Sequence, residues 1–133
     1  MNAETSTSLE RIATRFGRSS LPDAAREVSA ALHRRQNRIL VDSIEAAEHV
    51  QAWLADPCEV NERLVRAVAE KLSYKGIWGS VCAAILWREG ANMIDPTLGV
   101  APAPKGLSEK MLAAAVLNAA KDDPSLLEEF SHA

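Results

Sequence analysis

The chain is 133 residues long, 47% hydrophobic and 25% charged, with 5% aromatics and a formal net charge of −3. That length fits a single domain with an ordinary hydrophobic core, and the composition excludes general disorder. No apolar run approaches the ~18–20 residues of a membrane span, and the opening MNAETSTSLERI has no apolar signal core, so the cytoplasm is the expected compartment.

Abundant alanine, few aromatics and the absence of any alternating β-branched run predict an all-α protein, a compact bundle of six or seven helices packed as hairpins. Residues 1–7 read as a disordered start. Thr7 and Glu10 have capping-box spacing for a first helix that places Leu9, Ile12, Ala13 and Phe16 on one side and stops at Gly17. Pro22 suits the first turn of a second helix whose apolar positions are Ala24, Ala25, Val28, Ala31 and Leu32. A long third helix is expected over 36–55. Asp56 and Pro57 then read as N-cap and first residue of a fourth, with Val60, Leu64, Val65, Val68 and Leu72 as its buried stripe.

Gly76 precedes the fifth helix, GIWGSVCAAILWREG, which is apolar on every side through its first three turns and therefore reads as core, central to the bundle. Its C-terminal end, Trp87 and the following REGANMIDP, is where a binding face is expected to begin. Residues 91–107 carry three prolines and two glycines, a long loop or strap of a length uncommon within a compact domain without a functional reason. Ser108 is read as the cap of a sixth helix lined by Met111, Leu112, Ala115, Val116 and Ala119. Asp123 and Pro124 cap a short last one.

Catalytic motifs are missing: there is no HExxH, GxSxG, P-loop or GxGxxG. Glu45 and His49 share a helix face at i,i+4, but no third ligand is placed, so a surface pair is expected, with no metal and no cofactor. Cys58 and Cys82 read as free thiols. Cys58 sits near a helix N-terminus, which favours a thiolate, while Glu59 and Glu62 oppose one, and Cys82 lies on the apolar helix.

Charge is uneven. Residues 1–40 hold seven arginines against four acids, and the remainder of the chain carries −6. The first two helices loosely resemble a helix-turn-helix, with Arg26, Arg34, Arg35 and Arg38 placed to meet phosphates. A sequence pI near 5.6 argues against that use, since nucleic-acid domains are strongly basic.

From about residue 46 onward the chain resembles a bacterial family of small helical proteins of unknown function, often encoded near type VI secretion genes. The resemblance is carried in order by AWLADPCEVNERLVRAVAE (52–70), IWGSVCAAILW (77–87), the REGAN turn, the APAP of the strap and LSEKMLAAAVLNAA (107–120). Family members end the apolar helix in an aromatic-Trp-Ser-Gly-Gly turn, whereas this chain keeps Trp87 and Gly90 but has Arg88 and Glu89 between them. The resemblance implies a setting and no catalytic residues.

The expected function is non-enzymatic: an adaptor, chaperone or accessory factor that binds another protein, with a homodimer among the alternatives and no membrane partner. A nucleic-acid-binding regulator and an immunity protein that blocks a toxin are the other readings. The expected partner-binding residues are Trp78, Trp87, Met93 and Ile94 around a groove between the fifth helix and the strap, together with Arg34, Arg35 and Arg38 on the basic surface.

Overall fold

The computed structural model describes residues 3–34, 44–88, 92–95, 99–102 and 104–131. Among them lie seven helices: α1 (Ala3–Gly17), α2 (Leu21–Arg34), α3 (Ile44–Ala55), α4 (Glu59–Lys71), α5 (Gly76–Leu86), α6 (Leu107–Ala120) and α7 (Ser125–Ser131). The architecture is an all-α bundle, as the composition implies.

The helix ends follow local chemistry, though not always at the expected residue. Ser20 Oγ accepts the Asp23 N–H at 3.2 Å and caps α2, and Asp123 Oδ1 accepts the Ser125 N–H at 3.1 Å ahead of α7. α1 starts at Ala3, so Thr7 lies inside the helix and is not its cap. The N-cap of α4 is Cys58, not Asp56. Asp56 still belongs to the end of α3, where its N–H reaches the Ala52 carbonyl at 3.0 Å. Asn61 Nδ2 donates to the carbonyls of Asp56 at 2.8 Å and Ala52 at 3.2 Å, so a side chain of α4 closes the C-terminus of α3. The expected helical stretch 36–43 lies outside the described residues.

α5 and α6 pack along each other and form the centre. α2, α3 and α4 surround α5, while α1, α2 and α7 surround α6. Every residue of α5 from Trp78 to Leu86 is buried, and the helix carries no charged side chain. Burial of each large apolar side chain stabilises by about 1.5–3 kcal/mol, so a helix apolar all round belongs where neighbours cover it on several sides. α4 is more peripheral. Val65, Val68 and Ala69 face the core, whereas Val60 and Leu64, expected in the buried stripe, are 64% and 40% exposed. The buried stripe is narrower than the spacing implies: with α3 and α5 as its main neighbours, α4 has one side left to solvent.

The link from α4 to α5 is tight. Leu72 is the C-cap of α4, Ser73 N–H donates to Glu70 O at 3.0 Å and Tyr74 N–H to Ala69 O at 2.9 Å. This pair of bonds is a Schellman motif. Its unusual feature is that Ser73 (φ 56) and Tyr74 (φ 58) both adopt the left-handed conformation without being glycine. Gly79 makes the turn possible, because a Cβ there would sit 3.0 Å from the Tyr74 carbonyl carbon.

The strap is not strand-free, as the sequence reading had it. β1 (Asn92–Asp95) and β2 (Gly99–Pro102) pair antiparallel in the register Asn92↔Pro102, Met93↔Ala101, Ile94↔Val100 and Asp95↔Gly99. Four-residue strands are too short to betray an alternating pattern.

Candidate interaction surface

The end of α5 is where the strap is rooted. Trp87 is the C-cap, its N–H bonded to Ala83 O at 2.8 Å. Its half-buried indole stacks on the Tyr74 ring, with centroids 5.1 Å apart and planes 20° from parallel. The left-handed Tyr74 therefore presents its ring to the opposite end of the neighbouring helix. Burial first, and then the Glu70 carboxylate, raises the Tyr74 phenol above its ordinary pKa.

Arg88 binds in three directions. Nη1 donates to Ile85 O at 2.7 Å, Nη2 lies 2.6 Å from Glu62 Oε1 on α4, and the guanidinium sits 5.5 Å from the centroid of the Trp53 ring. At the far end of the strap, Gly106 (φ 84) turns the chain into α6. Ser108, expected as a cap, lies instead within the first turn, where its hydroxyl donates to Trp87 O at 2.9 Å. Both ends of the strap are thus pinned beside Trp87. Among the described residues, the two strands of the ribbon pack mainly against each other.

The expected partner-binding residues separate under this geometry. Trp87 is at the root of the strap, and Met93 and Ile94 are in β1. Trp78, 2% exposed, lies in the core against His33 on α2, with ring centroids 5.5 Å apart, and is not part of a surface groove. Arg34 is exposed and ion-paired with Glu129 of α7, while Arg35 and Arg38 lie outside the described residues. Arg26 is likewise engaged, by Asp23 and by Leu54 O, each at 3.0 Å, and Arg15 pairs with Glu27. The sequence gives no sign of the partners of Arg88, Ser108 and Tyr74. An arginine after a C-cap tryptophan gives no sign of which carboxylate and ring it will meet across the fold.

The other titratable candidates are structurally engaged. Glu45 Oε1 is 3.1 Å from Lys71 Nζ and 3.9 Å from His49 Nε2. Among the described residues, no group of three or more His, Cys, Asp or Glu could hold a metal ion. Both cysteines are free; Cys58 is half-buried, and burial pushes the Cys82 thiol up to about 12. No helix among the described residues is long and apolar enough to cross a membrane.

Compared with known proteins, residues 23–132 match the model of a family of unknown function. The match takes in α2 and reaches further toward the N-terminus than the resemblance that starts near residue 46. No curated protein and no solved structure gives a significant match.

Proposed function

The chain belongs to this family, DUF6931, and from that premise we propose that it is a non-enzymatic bacterial interaction protein of the cytoplasm, an adaptor, chaperone or accessory factor in a type VI secretion setting. The observation that carries the reading is the pinned ribbon. A two-stranded ribbon is marginal on its own in water and leaves two unpaired edges. Here a stacked Tyr74–Trp87 pair, the Arg88–Glu62 pair and the Ser108–Trp87 hydrogen bond hold its base in place. A rooted element whose strands pair mainly with each other suits recognition of another protein. The engagement of Arg15, Arg26 and Arg34 in ion pairs favours a protein partner over nucleic acid, because paired guanidiniums are less available to phosphates. The secretion setting rests on the sequence resemblance alone.

Affinity capture with the tagged full chain at moderate salt tests this. The expected result is one stoichiometric protein partner, lost when residues 92–102 are replaced by a Gly-Ser linker and weakened by Trp87→Ala. Recovery of DNA alone overturns the reading, as does capture that is indifferent to the ribbon.

A further inference from the structure

Among the described residues, four buried side-chain polar atoms have no hydrogen-bond partner within the chain: Arg15 Nη1, Ser29 Oγ, His33 Nε2 and Trp78 Nε1. Arg15 is accounted for, because its guanidinium lies 5.1 Å from the centroid of the Phe130 ring while Nη2 engages Glu27. Of the other three, His33 and Trp78 are in contact and Ser29 is close to His33 in sequence. Ser29 and His33 are one helical turn apart on the same face of α2, and the His33 ring lies against Trp78 of α5, at 5.5 Å and 59°. Ser29 and Trp78 are each 2% exposed.

Buried polar groups in folded proteins are nearly always satisfied by the protein or by ordered water. The indole N–H can only donate. The buried nitrogen of a neutral imidazole protonated on Nδ1 can only accept, and a hydroxyl can do either. One water molecule complements this set, since it offers two donors and two acceptors, and internal waters typically make about three hydrogen bonds. We propose that the α2–α5 seam holds an internal water, accepting from Trp78 Nε1–H and donating to His33 Nε2, with Ser29 Oγ as its third ligand. Ser29 also lines an open groove of about 410 Å³ between α2 and α3, together with Arg26, Gln51 and Leu54. The water fixes His33 as the Nδ1–H tautomer and joins the buried face of α2 to the first turn of α5.

A crystal structure of the full chain, at a resolution that orders internal water, tests the site. The expected result is a water within hydrogen-bond distance of both Trp78 Nε1 and His33 Nε2. A direct Trp78–His33 hydrogen bond, or an empty seam, overturns the proposal. Imidazole nitrogen NMR on the unmodified protein gives a second readout that needs no variant: His33 is expected as the Nδ1–H tautomer with Nε2 accepting, and the Nε2–H tautomer at neutral pH overturns it. In Ser29→Ala the water is expected to lose order or occupancy, and an unchanged water removes Ser29 from the site.

Discussion

Gly79→Ala pits helix propensity against packing. Alanine in a helix interior is favoured over glycine by about 1 kcal/mol, so the substitution should stabilise α5 if nothing stands in the way. Something does: the new Cβ would lie 3.0 Å from the Tyr74 carbonyl carbon, 3.5 Å from Tyr74 Cα and 3.6 Å from Leu72 Cβ. Carbon atoms in contact settle about 3.5–4.0 Å apart. The first contact is with backbone, so no rotamer change relieves it. Nor is Tyr74 free to retreat, being tied by its N–H to Ala69 O at 2.9 Å and by its ring to Trp87. Overpacking of this kind costs about 1–3 kcal/mol, and subtracting the propensity gain leaves a net loss of about 1 kcal/mol. Urea denaturation of Gly79→Ala beside wild type should show a lower midpoint at unchanged m-value, with a changed Trp87 emission as the stacked pair shifts. Gly17→Ala is the control, since nothing lies within 4 Å of its Cβ position, and it should be neutral or stabilising. A Gly79→Ala protein as stable as wild type would refute the reasoning.

The same turn predicts the opposite sign at its exposed residue. Ser73→Gly, at φ 56, removes left-handed strain and should gain about 0.5–1 kcal/mol in urea denaturation. Ser108→Ala leaves the Trp87 carbonyl without its side-chain donor and should cost about 1 kcal/mol in the same assay. Cys82 links stability to alkaline pH. Its folded thiol titrates near 12 against an ordinary value of 9.0, so above pH 9 the unfolded chain releases a proton that the folded chain keeps, and stability falls as pH rises. The slope approaches about −1.4 kcal/mol per pH unit between the two values. Denaturation at pH 9 to 11 should show a steeper decline in wild type than in Cys82→Ala, and equal slopes would contradict the burial argument. At neutral pH a thiol reagent should titrate Cys58 in the folded protein and Cys82 only after unfolding.

The helices were legible because their signals are local. The apolar face of α2, the all-round apolar surface of α5 and the caps Ser20 and Asp123 are each decided within a turn or two of chain. Boundaries failed where a longer-range bond intervened. Asp-Pro has the composition of a helix start, yet Asn61 reaches back to the carbonyls at the end of α3 and turns Asp56 into a terminus. Val60 and Leu64 failed for a different reason. Their spacing is that of a buried stripe, but whether a stripe is covered depends on how many neighbours the helix has, and periodicity does not record neighbours.

The root of the strap shows the same division. Trp87 caps the end of α5 beside a turn and a proline-rich strap, and that neighbourhood is visible in one dimension. What fixes the strap comes from afar: Glu62 on α4, Trp53 on α3, Tyr74 from a turn that stores left-handed strain. Arg88 illustrates the consequence. In sequence it is a charge in a turn; in the fold it is the clasp between α4, α3 and the end of α5. The basic N-terminal half inverts in the same way. Of the four arginines expected to meet phosphates, Arg26 and Arg34 each find a carboxylate, on α2 and α7, as Arg15 also does on α2, while Arg35 and Arg38 lie outside the described residues. Asp23 and Glu27 already count in the charge of residues 1–40, so of these three pairs it is Arg34–Glu129 that sets a base of that segment against an acid of the remainder.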